Sequence, residues 1–229
     1  SSGMNLTNGT ADAIRYRYVD LDTDGPAGGP GGQGSRPTTI IDLDEPMYVS
    51  LYGQWTKQHG YGRVADGGRP VTHLLWLEKN VGRLMKATAA NRFGYLTQGF
   101  DDSPDYFVGG PDLANARQIS STNPFQEDFA WGRSELVDYS SADGQRLQGA
   151  LFYPANYEPG RQYPMIVYVY ELRSQFVHTY AAPSERSPYN TSVFTNAGYF
   201  VLQPDIVFRD RDPGVSATEC VVTAVETVL

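Results

Sequence analysis

The chain has 229 residues, with 18 Lys and Arg against 26 Asp and Glu, a formal net charge of −8 and 40% hydrophobic and 13% aromatic residues. This balance excludes the clustered basic surface that neutralises nucleic-acid phosphates, since only Lys57, Lys79 and Lys86 supply lysines, and 19% charged residues are too few for a disordered polyelectrolyte. A single cysteine, Cys220, excludes an intrachain disulfide and a Cys-based zinc site, and the length admits one large or two modest domains, of which two is the working expectation.

In chain order, Ser1-Ser2-Gly3-Met4 lacks the basic flank and apolar stretch of a signal peptide, so this start reads as internal or artificial. Ile14 to Leu21 alternates large apolar and polar residues, the period of a strand with one wet face. Asp24 to Gly34 is Gly/Pro-rich and cannot hold a ladder; a mobile surface loop is expected. Met47 to Tyr52, Gly62 to Ala65 and Val71 to Leu77 follow as strands, separated by Gln54 to Tyr61 and by the turn Asp66-Gly67-Gly68. Arg83 to Thr88, Phe93 to Gln98, Asp105 to Val108 and Ala116 to Ile119 form a further set. Strands at intervals of about 8–12 residues point to an all-β sandwich, barrel or propeller, and periodicity alone does not choose among them.

Ser121 to Trp131 reads as a connector with aromatic anchors, and the pattern then changes. Glu135 to Tyr139 and Leu147 to Tyr153 are two strands joined by Ala142-Asp143-Gly144. Met165 to Tyr170 is a nearly continuous apolar run, expected to be a strand buried on both faces, and Tyr199 to Gln203 is another. Between them Pro188 to Ala197 predicts a short helix ended by Gly198. At the end, Ser216 and Glu219 have capping-box spacing, and Ala217, Cys220, Val221, Ala224, Val225 and Val228 recur at helical intervals, giving an apolar stripe that must lie on a sheet. No stop signal closes this helix before Leu229, so the natural element is expected to continue.

The run Pro164 to Tyr170, then Asn196 to Asp205, then Pro213-Gly214 and a helix resembles the prolyl oligopeptidase family of serine peptidases, in order as well as in letters. Upstream, Glu135 to Pro154 is similar to the segment that opens the family's hydrolase domain, with Asp143-Gly144 at the turn and Pro154 after the second strand. The resemblance covers about residues 133–229. It implies a mixed architecture: residues 1–131 as the C-terminal blades of a β-propeller, then residues 132–229 as the N-terminal portion of an α/β-hydrolase domain. Phe93 to Ile119 is similar to the family's blade pattern, resting more on position than on motif.

No G-x-S-x-G nucleophile elbow occurs between Ser1 and Leu229. The resemblance therefore implies a peptidase fragment, truncated before the elbow, in which the catalytic Ser, Asp and His are absent and which is inactive alone. His59, His73 and His178 precede any such elbow, so none is expected to be the base. One contributor remains: in the family a Tyr just after the strand equivalent to Met165–Tyr170 offers its hydroxyl to the oxyanion, and Tyr170 holds that position. This sequence departs from the pattern in following that Tyr with Glu171-Leu172-Arg173 rather than Gly.

Other residues admit two readings. Glu171 and Arg173 suit charged substrate ends or a solvated loop pair, and Asp205 with Arg209 and Arg211, similar to the family's Asp/Arg-rich loop at this location, suits buried pairing that shapes the loop rather than direct catalysis. His178 near Tyr180 reads as a loop histidine. Ser134 and Ser216 lack the downstream Gly of an elbow, and Asp20, Asp22 and Asp24 alternate without the Gly and Glu of a calcium loop. Asn5-Leu6-Thr7, Asn8-Gly9-Thr10 and Asn190-Thr191-Ser192 match the glycosylation sequon, which carries weight only in a secretory setting.

No metal or cofactor is assigned, and no run approaches the roughly 18 apolar residues of a membrane span. The expected partner is an oligopeptide substrate of the full-length protein; homo-oligomerisation, association with the remainder of the domain, and a periplasmic, secreted or cytoplasmic location all stay open. The competing functions are an esterase or acylaminoacyl-type hydrolase on the same scaffold, or a non-catalytic β-rich binding module with an aromatic surface around Trp55, Tyr61 and Trp131.

Overall fold

The structure, a computed structural model, describes residues 7–21, 46–64 and 70–229. The Asp24–Gly34 segment, the Asp66-Gly67-Gly68 turn, Asp22, and Asn5 and Leu6 of the first sequon lie outside the described residues.

A single helical turn, α1 (Gly9–Asp12), leads into β1 (Ile14–Tyr18), followed by β2 (Met47–Gly53), β3 (His59–Val64) and β4 (Thr72–Leu77). These four strands form one antiparallel sheet in the order β1-β2-β3-β4. Gln54 to Tyr61 is not the separator expected from sequence. Lys57 adopts φ 55° and the Lys57 N–H reaches Gly53 O at 2.9 Å, closing a tight turn so that β3 starts at His59. Gly60 is required there, because a Cβ would stand 1.8 Å from the Leu75 carbonyl on β4.

The second sheet contains β5 (Asn80–Val81), β6 (Met85–Lys86), β7 (Phe93–Gln98), β8 (Asp105–Gly109) and β9 (Arg117–Gln118), in the order β5-β7-β8-β9 with β6 also on β7. The strand expected over Arg83 to Thr88 shrinks to two residues. Gly82 N–H binds Leu96 O at 2.7 Å and Ala87 N–H binds Arg92 O at 2.9 Å, pulling Leu84 into the core between them. The two sheets share one apolar layer: Tyr48 and Tyr61 pack with Leu84, Phe93, Tyr95 and Leu113. The opposite face of the first sheet buries Val49, Leu51 and Val64 against Ile14, Tyr16 and Trp76.

After a 3-10 turn at Pro124–Asp128, Trp131 stacks on Tyr180 with centroids 5.4 Å apart and meets Phe100, whereas Phe125 and Phe129 are exposed. The third sheet follows: β10 (Ser134–Ser140), β11 (Arg146–Phe152), β12 (Met165–Val167) and β13 (Phe200–Pro204). Its order is β10-β11-β13-β12, antiparallel except for β12 and β13, which are parallel with Met165 opposite Phe200 and Val167 opposite Leu202.

Two helices cover this sheet on opposite faces. On β11 and β13, Leu147, Leu151 and Leu202 point to α3 (Pro213–Val228), meeting Cys220 and Ala224 with Ala217, Val221, Val225 and Val228 beside them. The alternate residues Ala150, Phe152 and Val201 face α2 (Thr191–Asn196) through Phe194, together with Phe100 and Val177. The expected stripe on the last helix is therefore the buried one. Its start differs from expectation: the helix begins at Pro213, a favoured first position, and Ser216 lies inside it with Oγ donating to Asp212 O at 2.8 Å. Glu219 does not close a capping box but pairs with Arg209 at 2.8 Å.

The run expected as one strand from Met165 to Tyr170, buried on both faces, is a three-residue strand of half-buried residues. Among the described residues β12 pairs only with β13 and forms the sheet edge, which leaves its other side uncovered. No helix of the described residues is long and apolar enough to cross a membrane.

Candidate active site

In an open sheet with parallel strands, ligands bind in the crevice outside the strands' carboxyl ends, where loops diverge. Here β12 and β13 end side by side. Tyr168 N–H still reaches Leu202 O at 2.9 Å, and Ile206 N–H reaches Glu171 O at 2.9 Å, so the chain after β12 turns back over the end of β13. Tyr170 sits on this bend, 63% exposed, and its hydroxyl has no hydrogen-bond partner among the described residues.

Asp205, directly after β13 and only 7% exposed, fixes the bend. Its Oδ1 accepts the backbone N–H of Arg173 at 2.6 Å and of Ser174 at 2.7 Å, and its Oδ2 accepts the Ser174 hydroxyl at 2.5 Å. Its own backbone is pinned from two sides: its N–H donates to Gln148 O at 2.8 Å, and the buried Tyr139 hydroxyl donates to its carbonyl. Burial, with the Asp205 charge second, raises the Tyr139 pKa and keeps the phenol a donor. The sequence expectation of Asp205 in a buried pairing that shapes the loop holds in its outcome, but the partners are N–H groups and a hydroxyl rather than Arg209 or Arg211. Arg209 instead joins Asp143, Asp212 and Glu219 on the outside.

Arg173 is drawn inward. Its guanidinium donates to Gln203 Oε1 at 3.1 and 2.9 Å and lies over the rings of Tyr168 and Phe176 at 4.4 and 4.3 Å. Gln203 passes the network on to Thr191 at the start of α2, at 2.9 Å. Arg173 therefore braces the bend, while Glu171 stays exposed. This chain from Arg173 through Gln203 to Thr191 escaped the sequence reading; its one visible signal was a Gln inside an otherwise apolar strand.

The remaining sequence candidates sort as follows. Ser134 Oγ donates to Val177 O at 2.6 Å, Ser216 is a helix residue, and among the described residues no serine is hydrogen-bonded to a histidine. His73 meets Tyr16 at 3.3 Å. Burial, then His178 and Arg15, push the His59 pKa down to about 4, and burial lowers that of His178. Asn190 is buried as the cap of α2, accepting Val193 N–H at 3.0 Å and donating to Ala182 O at 2.8 Å, so it is not a free glycan acceptor. The aromatic surface expected around Trp55, Tyr61 and Trp131 does not form as one patch, since Tyr61 is buried with its hydroxyl on Gly82 O and Trp131 stacks inward, while Trp55 stays 38% exposed with Arg146 over its ring at 4.3 Å. Among the described residues no group of three or more His, Cys, Asp or Glu is placed to hold a metal ion.

No protein-family model matches the chain, and no curated protein matches it. Solved structures do. The Porphyromonas gingivalis dipeptidyl peptidase 4 aligns over 82% of this chain and 28% of its own, at 12% identity and a TM-score of 0.59. The AtxE2 isopeptidase aligns over 74% and 25%, at 12% identity and a TM-score of 0.57. An acylaminoacyl peptidase of Pyrococcus horikoshii aligns over 80% and 29%, at 14% identity and a TM-score of 0.56. The chain thus spans less than a third of the length of each of these structures. All three are peptidases of the prolyl oligopeptidase family, and the likeness is one of fold.

Proposed function

We propose that this chain is part of a serine peptidase of the prolyl oligopeptidase family. Residues up to about 131 supply propeller blades, residues 132–229 open the α/β-hydrolase domain, and the Tyr170 hydroxyl helps bind the oxyanion. The observation that carries this is the β10-β11-β13-β12 sheet with its one parallel pair, helices on both faces and Tyr170 at the carboxyl end of β12. The fold shared with three amide-cleaving enzymes supports it further.

In acyl transfer, attack on the scissile carbonyl places negative charge on its oxygen. A Tyr O–H fixed at the rim of the crevice donates a hydrogen bond that strengthens as that charge grows, a contribution of about 3–4 kcal/mol by analogy with other oxyanion donors. This chain's own residues supply the rigid mount: Asp205 and Arg173 hold the bend from beneath, and the Tyr170 hydroxyl remains uncommitted. The nucleophile, base and orienting carboxylate are not among these residues, so hydrolysis belongs to a polypeptide that includes them. The neighbours' names span dipeptidyl, acylaminoacyl and isopeptide bonds, and the activity they have in common is amide hydrolysis.

Two measurements test this. In the gene, a G-x-S-x-G within about 30 codons after Leu229 is expected, and its absence would refute the peptidase assignment. In the enzyme carrying that segment, Tyr170→Phe should lower kcat about 10²–10³-fold on a prolyl or acyl-alanyl chromogenic amide with little change in KM. An unchanged kcat would remove Tyr170 from the oxyanion site.

A further inference from the structure

We propose that the cleft between the first sheet and the turn after Tyr170 binds the C-terminal carboxylate of a peptide through Arg15 and Arg17. The two arginines are alternate residues of β1, so their side chains leave the same face of the sheet. The register extends that face into two cross-strand rows: Arg15 beside Tyr52 and then His59, and Arg17 beside Ser50 and then Tyr61. The opposite wall comes from Gln175 and Phe176, on the segment that Asp205 holds. The cleft so formed has a volume of about 330 Å³, room for one or two peptide residues.

Its charge runs against that of the whole chain. The formal net charge is −8, yet the cleft is lined by two arginines and by no Asp or Glu. Among the described residues neither arginine has an ion-pair partner. Arg15 lies over the Tyr52 ring at 4.7 Å, which fixes the guanidinium plane and leaves its N–H edge for a ligand. Asp205, whose charge also reaches Tyr52, is already committed to the N–H groups of Arg173 and Ser174 and to the Ser174 hydroxyl. His59, with its pKa near 4, is neutral at pH 7 and adds no competing cation. Two guanidiniums match a planar carboxylate by paired hydrogen bonds, and the parts of the Tyr52 and Phe176 rings that Arg15 and Arg173 leave uncovered give the adjoining side chain an apolar wall. A free inorganic anion would leave that wall unused.

This deepens the peptidase proposal by naming the end of the peptide that is gripped, and it rests on that proposal only in calling the peptide a substrate. The test is isothermal titration of the 229-residue chain with Ala-Ala-Phe and with its C-terminal amide. The acid should bind at least about tenfold more tightly, and Arg15→Gln with Arg17→Gln should abolish that difference while leaving the amide's affinity unchanged. Should the double variant fail to fold, Arg17→Gln alone, at an exposed position, must still weaken binding of the acid. Equal affinity for acid and amide, or full displacement of the acid by equimolar inorganic phosphate, would overturn the inference. Binding is read without turnover, so the two ideas fail separately: a carboxylate preference survives the loss of the peptidase assignment, and an active peptidase that binds both forms alike sinks only the cleft.

Discussion

Replacing Asp205 should reveal how firmly the Tyr170 bend is mounted. The carboxylate accepts three hydrogen bonds at 2.5 to 2.7 Å from a site 7% exposed, two of them from backbone N–H groups. At about 1.5–3 kcal/mol per charge-assisted bond, the gross loss of the three bonds in Asp205→Ala is about 4.5–9 kcal/mol. Removing the carboxylate also removes its desolvation cost of several kcal/mol, so the expected net destabilisation is about 3–5 kcal/mol. Asp205→Asn keeps one oxygen for the two N–H groups, and the Ser174 hydroxyl can turn to accept from the amide; about 1–2 kcal/mol is expected. Urea unfolding followed by intrinsic fluorescence, with a slope near ~2 kcal/mol/M, should show a midpoint lowered by about 1.5–2.5 M for the Ala variant. Trypsin should at the same time cut faster after Arg173. If Asp205→Ala were no less stable than Glu226→Ala, a change at an exposed helix position, the mounting role would be refuted.

Leu202→Ala, at a fully buried position under α3, should cost about 3–5 kcal/mol in the same unfolding assay. Asn190→Ala removes both the α2 cap and the bond to Ala182 O, for about 1–2 kcal/mol, whereas Asn190→Asp keeps the cap and should cost less. His59 is depressed to about 4 from 6.5, chiefly by burial, so the unfolded chain takes up a proton that the folded chain refuses between those values. Stability is therefore full above pH 6.5 and falls as pH drops toward 4, by on the order of 1–2 kcal/mol for this half-buried ring; His59→Gln should lessen that slope in melts taken across the window. Gly60→Ala drives a Cβ to 1.8 Å from Leu75 O and should prevent β3 and β4 from pairing, seen as loss of a cooperative thermal transition.

The sequence made the strands and the last helix visible wherever local pattern matched burial. Phe93 to Gln98 alternates, and it is β7 to the residue; the stripe from Ala217 to Val228 is the face that α3 buries. Pattern failed where partners far along the chain decide. Met165 to Tyr170 looks like one strand, but only the stretch facing β13 is paired as one, because the bend is pulled away by Asp205, 32 residues from Arg173. Ser216 has the spacing of a cap, yet Pro213 starts the helix and makes that serine interior. Arg173 and Glu171 look alike as loop charges. Only the tertiary position of Gln203 separates a brace from a solvated group. The pairing of Arg15 and Arg17 into a cleft was equally hidden, since it depends on the register of three strands and on a turn more than 150 residues away.

The clamp at Asp205 also sets an order of events during synthesis. Tyr139 leaves the ribosome 66 residues before the carbonyl it will donate to, and Arg173 emerges 32 residues before the carboxylate that will fix its N–H. A growing polypeptide can therefore close the β10–β11 hairpin from near neighbours, but it must carry Tyr170 on an unfixed tether until β13 has been made. The Tyr170 bend is then among the last parts of this region to settle, and a translational pause placed before codon 205 would prolong that vulnerable interval.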